Sequence, residues 1–248
     1  MRQEISIPTK DGDMRAFAFT PDSGEGPWPG VIFYMDAPAI RPALFDMGER
    51  LAGHGFLVVM PDLYWRAGEY EPIDMATIRN DEARREAFGR LRASTSPQAQ
   101  MIDTEGALAW LDQNPRAKAE KVGLTGYCMG GAIALRAAAA FPDRVAAAAS
   151  FHGGNLATDE PDSPHRLADQ IKARLLVAGA DEDRSFPPEQ KVRLEEALKA
   201  AGVAAEVVIY PGARHGYAPA DMPAYDREAS ERHWREMFEL FDATLKNA

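Results

Sequence analysis

The sequence predicts a three-layer α/β/α domain built on a mostly parallel central sheet and opened by an N-terminal hairpin. Short apolar runs recur along the chain without alternating polarity, as strands buried on both faces require. Helical stretches with recognisable ends separate these runs. The 248 residues, 46% of them hydrophobic, suit one α/β domain over 1–248 with a large core.

Each element has its own signal. Ile5–Ile7 and Met14–Phe19 flank Lys10-Asp11-Gly12-Asp13, and Asp-Gly between extended runs predicts a hairpin. A Pro/Gly-rich loop, Pro21–Gly30, follows. Buried strands are expected at Val31–Met35, Phe56–Met60, Val122–Leu124, Val145–Phe151, Leu175–Ala178 and Val207–Tyr210. A helix over Ala99–Leu111 starts after Pro97 and stops before Asn114-Pro115. Gly131–Phe141 is Ala-rich and ends before Pro142. Pro187–Ala201 has proline in its first turn and Gly202 past its end. Asp226–Leu245 sets Trp234, Met237, Phe241 and Leu245 on one stripe. Residues 66–96 are charged and rich in arginine. They fit a lid or cap over a site, or equally a solvated helix with charged faces.

The formal net charge of −10 opposes nucleic-acid binding, which needs clustered Lys and Arg. One cysteine allows no intrachain disulfide and fits a reducing compartment. Met1-Arg2-Gln3-Glu4-Ile5 has no apolar signal-peptide core, and no apolar run approaches the ~18–20 residues that span a bilayer. The expectation is a cytoplasmic protein, monomer or small homo-oligomer, with no nucleic-acid or membrane partner.

The sharpest signal is Gly126-Tyr127-Cys128-Met129-Gly130-Gly131, between the strand-like Lys121–Thr125 and the helix-like Ala132–Leu135. This is the G-x-S-x-G nucleophile elbow of α/β-hydrolases with cysteine for serine. Flanking glycines let the backbone turn tightly at the strand end. The nucleophile then faces a helix N-terminus, whose free N–H groups and positive dipole end stabilise a thiolate. The Met129 N–H is expected to form half of an oxyanion hole. The alternative for Cys128 is an inert buried thiol.

A nucleophile needs a base, and the base an orienter; in this fold they follow in the order acid, then histidine. Leu175–Ala178 leads into Gly179-Ala180-Asp181-Glu182-Asp183, so Asp181 is the expected orienter, with Asp183 the alternative. Val207–Tyr210 leads into Pro211-Gly212-Ala213-Arg214-His215, so His215 is the expected base. His152 follows the strand Val145–Phe151 and is expected to line the pocket. Tyr127, beside the nucleophile, is expected to touch substrate. His54 falls in a helix-to-strand turn, and His165 and His233 fall in or near helical segments, where structural roles are expected. No pair of histidines has metal-ligand spacing, so neither metal nor cofactor is expected.

Pro61-Asp62-Leu63-Tyr64, Lys121-Val122-Gly123, Gly126–Gly131, Gly179-Ala180-Asp181 and His215-Gly216-Tyr217 together make the chain resemble the dienelactone hydrolase family, the carboxymethylenebutenolidases, over nearly its whole length. The resemblance implies hydrolysis of cyclic enol-lactones without metal or organic cofactor. It also implies a Cys128, Asp181, His215 triad and a second oxyanion donor in the Ala37 N–H. Where the family carries a glutamate that contacts the resting thiol, this chain has Asp36, which is expected to tune Cys128 more weakly. Dienelactone-specific members hold the substrate carboxylate with two arginines. One matches Arg85, or Arg84 if the loop shifts. The other position reads Gly216-Tyr217-Ala218-Pro219, so a single anchor is expected.

The function expected is hydrolysis of a small ester or lactone through a cysteine acyl-enzyme. The competing readings are a hydrolase-fold ligand-binding protein with little turnover, and a redox-sensing thiol, which the absence of a resolving cysteine weakens.

Overall fold

The Asp11-Gly12 turn closes the expected hairpin. Strands β1 (Arg2–Thr9) and β2 (Gly12–Phe19) pair antiparallel with Thr9 opposite Gly12. Gly12 sits at φ +131°, a conformation that side-chain-bearing residues rarely adopt. The structure, a computed structural model, describes residues 1–75 and 77–246.

Six further strands follow: β3 (Trp28–Tyr34), β4 (Leu57–Pro61), β5 (Ala117–Tyr127), β6 (Val145–Phe151), β7 (Arg174–Glu182) and β8 (Ala205–Arg214). Among the described residues they form one eight-stranded sheet in the order β1-β2-β4-β3-β5-β6-β7-β8. β2 joins β4 antiparallel, and every later pairing is parallel. The expected α/β/α architecture with a hairpin at one edge is what the chain adopts.

The helices are α1 (Pro42–Gly53), α2 (Glu82–Ala93), α3 (Pro97–Gln113), α4 (Met129–Ala140), α5 (Pro188–Ala200) and α6 (Arg227–Phe241). Side-chain alternation along β5 assigns them to faces. A Cβ on Gly123 would meet Leu245 at 2.8 Å and Phe241 at 3.1 Å, whereas Val122 lies with Leu111 of α3 over Gly30. α6 and α3 therefore cover opposite faces. α1 lies beside α6, with His54 at its C-cap stacked 3.8 Å from Phe238. α4 packs with α3 and against β5 and β6.

Residues 66–96 are largely tied down. Arg66 pairs with Asp11 and Asp103, the Tyr70 hydroxyl donates to Asp62, and the Ile73 N–H donates to the Pro38 carbonyl. α2 is a helix with a charged, exposed face, and its C-terminal end walls the cleft described below. Residue 76, within the expected cap segment, lies outside the described residues. No helix of the described chain is long and apolar enough to cross a membrane.

Candidate active site

β5 hands the chain to α4 through one residue, Cys128, at φ 55° and ψ −114°. A non-glycine residue held there stores strain, and the surroundings fix it. A Cβ on Gly126 would strike the Gly130 carbonyl. One on Gly130 would strike the Tyr34 and Met35 carbonyls, and one on Gly131 the Ser150 hydroxyl. Glycine at these positions lets the start of α4 press against the end of β3. The Cys128 N–H donates to the Phe151 carbonyl at 3.1 Å, which ties the elbow to β6.

The same close approach brings two backbone donors to the mouth of the elbow. Met129 is the first residue of α4, where an N–H has no intrahelical acceptor. Ala37 lies just beyond β3, and its carbonyl accepts from the buried Tyr64 hydroxyl at 3.0 Å, which fixes that loop. Among the described residues neither N–H makes a hydrogen bond.

The orienter is corrected. The Asp183 Oδ2 lies 2.7 Å from the His215 Nδ1. Asp181 instead accepts from the Gly212 N–H at 3.0 Å, on β8, and is exposed. The physical reason is the length of β7. It runs to Glu182, four residues past the expected end at Ala178, with a register shift between Ala180 and Glu182. Asp181 is still within the ladder, and Asp183 is the first residue beyond it. Asp183 is buried, and its Oδ1 accepts both the Ser185 N–H at 2.8 Å and the Ser185 hydroxyl at 2.6 Å. Ser185 was not foreseen, although an Asp followed two residues later by Ser is a common turn pattern.

His215 follows β8 directly and lines the same cleft as Cys128, close enough for the sulfur to act on its charge. Burial alone would lower its pKa. The bond to Asp183 and the pull of the sulfur outweigh burial and push it up to about 10. Asp183 moves the other way. Burial would raise it, but the His215 and Ser185 hydrogen bonds hold it below the usual carboxylate value.

Cys128, His215 and Asp183 open onto a cleft of about 750 Å³. Three arginines reach it: Arg92 at the end of α2, Arg136 on α4 and Arg184 beside Asp183. None was foreseen. Arg136 had a usable signal, since Met129, Ala132 and Arg136 share one helical face. Arg92 had none, being one of several arginines on a polar helix. Arg84 and Arg85 do not line the cleft. Arg84 pairs with Asp81 and Asp74 on the exposed face of α2, two turns before Arg92.

Three further expectations are corrected. Tyr127 is fully buried, stacked between Phe33 and Phe151, with its hydroxyl 3.2 Å from the His233 Nε2. Strand alternation sends it away from the cleft. His152 is 1% exposed and lies behind His215, edge to face at 5.2 Å, so it underlies the site without lining it. Asp36 is buried and has both oxygens on Arg41, at 2.6 and 3.0 Å, and Arg41 continues to Asp221. Its carboxylate is committed to a guanidinium, not to the sulfur. His54 and His165 sit outside the cleft, as does the buried His233. Among the described residues no group of three His, Cys, Asp or Glu side chains is arranged to hold a metal ion.

Comparison with known proteins identifies the family and the fold. Residues 14–245 match the family described as "Dienelactone hydrolase family". A provisionally named carboxymethylenebutenolidase of Synechocystis is 30% identical over 246 residues, covering 98% of this chain and 96% of that one. Its counterpart in Escherichia coli K12 is 29% identical over 239 residues, covering 95% and 84%. The crystal structure of a provisionally assigned dienelactone hydrolase from Klebsiella pneumoniae superposes with a TM-score of 0.84 at 27% identity, covering 97% of this chain and 98% of that chain. The chain therefore belongs to the dienelactone hydrolase family and is a hydrolase of that fold.

Proposed function

We propose that the protein hydrolyses small esters or lactones through a thioester on Cys128, with His215 as acid–base and Asp183 as its orienter. The observation that carries this reading is the Asp183–His215 hydrogen bond in the same cleft as a cysteine held in a strained elbow.

The steps follow from the positions. With Nδ1 fixed on Asp183, His215 presents Nε2 to the sulfur and is stabilised as an imidazolium beside a thiolate. The sulfur attacks the substrate carbonyl carbon, and the oxygen takes up the electron pair. The N–H groups of Met129 and Ala37 receive that oxyanion, each worth ~2.7–4 kcal/mol in comparable sites. His215 gives its Nε2 proton to the departing alkoxide, and the thioester forms as the C–O bond breaks. Water then attacks the thioester and yields its proton to His215. The second tetrahedral intermediate expels the thiolate and leaves the acid. A lactone opens by the same route into one hydroxy- or keto-acid.

Arg92 takes the place of the expected anchor for a substrate carboxylate. It borders the cleft, and its positive charge acts on Tyr64, whose hydroxyl donates to the Ala37 carbonyl. The test is turnover of p-nitrophenyl acetate, with iodoacetamide and Cys128→Ala as controls and mass spectrometry of the acyl adduct. Activity that survives in the alanine variant would refute the mechanism.

A further inference from the structure

The cleft extends beyond the reacting atoms. Met129, Ala132 and Arg136 line it from one face of α4, so Arg136 stands two turns from the elbow, about 10 Å along the helix axis. Arg184 lines the same cleft from the loop after β7, where the neighbouring Ser185 carbonyl accepts from the Asn155 N–H of the loop after β6 at 2.6 Å. Arg92 lines the cleft from α2. The lining thus carries three guanidinium groups against two carboxylates, Glu182 and Asp183, and Asp183 is spent on His215 and Ser185.

The distal arginines are under-used by the protein. Arg136 is mostly buried, with its side chain 17% exposed. Its Nε donates to the Asp162 carbonyl oxygen at 2.8 Å, and its ion pair with the Asp162 carboxylate is long, at 3.5 Å. Burial lowers its pKa, with Asp162 opposing only in part. Arg184 makes no hydrogen bond or ion pair among the described residues. A largely buried guanidinium with one loose carboxylate, in the same cleft as an unpaired one, attracts an anion strongly.

We infer that the substrate carries a carboxylate at its far end, held by Arg136 and Arg184 about two helical turns from the carbonyl that Cys128 attacks. The inference rests on the hydrolase reading, because it takes Cys128 as the reacting end. It makes the natural substrate an elongated ester or lactone with an acid at the end remote from the scissile bond. An acid adjacent to the ring would be too short to reach.

Binding can be measured apart from turnover. Calorimetry with the intact protein would compare suberate, octanoate and malonate at fixed ionic strength. Suberate and octanoate have the same chain length and differ by the second carboxylate, and malonate is too short to span the cleft. Suberate should bind roughly tenfold or more tighter than octanoate, and malonate should show no such gain. The suberate-to-octanoate ratio should fall to about one in Arg184→Gln and in Arg136→Gln, and persist in Arg232→Gln, whose site is remote from the cleft. Arg184 is exposed, so its variant keeps the test decisive if Arg136→Gln fails to fold. Equal affinity for suberate and octanoate in the native protein would overturn the inference, as would a ratio unchanged in Arg184→Gln. Loss of p-nitrophenyl acetate turnover alone would count against the hydrolase reading and leave the binding result standing.

Discussion

The Asp183 carboxylate divides its oxygens between two partners: Oδ2 meets the His215 Nδ1 at 2.7 Å, and Oδ1 takes the N–H and hydroxyl of Ser185. The Ser185 bonds fix the carboxylate, so it fixes the imidazole tautomer. Asp183→Asn should lower kcat by about 10³–10⁴, as loss of the orienter does in comparable triads. Asp181→Asn should stay within a few-fold of wild type, because it loses one bond to the Gly212 N–H. Steady-state kinetics on both variants decide between them, and the reverse ranking would return the role to Asp181.

Arg92 and Arg85 give a second contrast within α2. Arg92 lines the cleft and Arg85 does not. A charge-assisted bond to a substrate carboxylate is worth roughly 1.5–3 kcal/mol. Arg92→Gln should therefore raise KM about tenfold or more for esters with a carboxylate near the scissile bond, and leave neutral esters within a few-fold. Arg85→Gln should change neither. A KM effect confined to Arg85→Gln would move the anchor back to that residue.

These corrections share a cause in what sequence patterning encodes. β6 occupies the residues expected, Val145–Phe151, because a run apolar at every position but Ser150 is itself the cause of a doubly buried strand. β7 outlasts its apolar run because Gly179, Ala180 and Glu182 are held by pairing with β8, and hydrogen bonding to a neighbour leaves no mark on hydropathy. Choosing between Asp181 and Asp183 required that boundary. The helix-to-strand turn at His54 implies α1, but its start carries no capping signal, because its N-cap, Arg41, makes no side-chain capping bond and is instead engaged with Asp36 and Asp221. Cys128 and His215 were legible because glycine spacing and strand-end position are local. Arg92 and Arg184 were not, because only tertiary packing separates a cleft arginine from a solvated one. Tyr127 was misjudged by proximity in sequence, when period-two alternation already placed it on the opposite face from a strand-end nucleophile.

Asp36 is expected to act on stability more than on the thiol. Its side chain is 2% exposed and that of Arg41 is 8% exposed, joined by two hydrogen bonds. Removing Asp36 leaves Arg41 with Asp221 as its remaining counter-charge, so the loss should stay below the ~3–5 kcal/mol of a fully unpaired buried charge. Asp36→Asn should lower the urea midpoint accordingly, and Asp36→Glu should also destabilise, since the packed site has no room for a methylene. The pH profile of iodoacetamide labelling at Cys128 should stay where it is in both. A shifted profile with unchanged stability would mean that the carboxylate acts on the sulfur after all.

The histidines should bend the pH profile of stability into a dome centred near their ordinary pKa of about 6.5. His233 is fully buried, and desolvation lowers its pKa to about 3. His152 is lowered well below its usual value, first by burial and then by the charge of His215. For both, the unfolded chain binds the proton more readily, so their contribution is present above about pH 6.5 and lost as pH falls. His215 has the opposite sign. Its pKa rises to about 10, so its contribution is complete below about pH 6.5 and is lost as pH climbs through 10. Urea unfolding between pH 4.5 and 9.5 should therefore trace a dome. On the acid side each buried histidine steepens the fall by up to about 1.4 kcal/mol per pH unit. His233→Phe should flatten the acid limb by about one such increment, whatever its effect on the maximum. Asp183→Asn should flatten the alkaline limb, because the amide cannot hold His215 as an imidazolium. An acid limb equally steep in His233→Phe would mean that His233 is already charged in the folded protein.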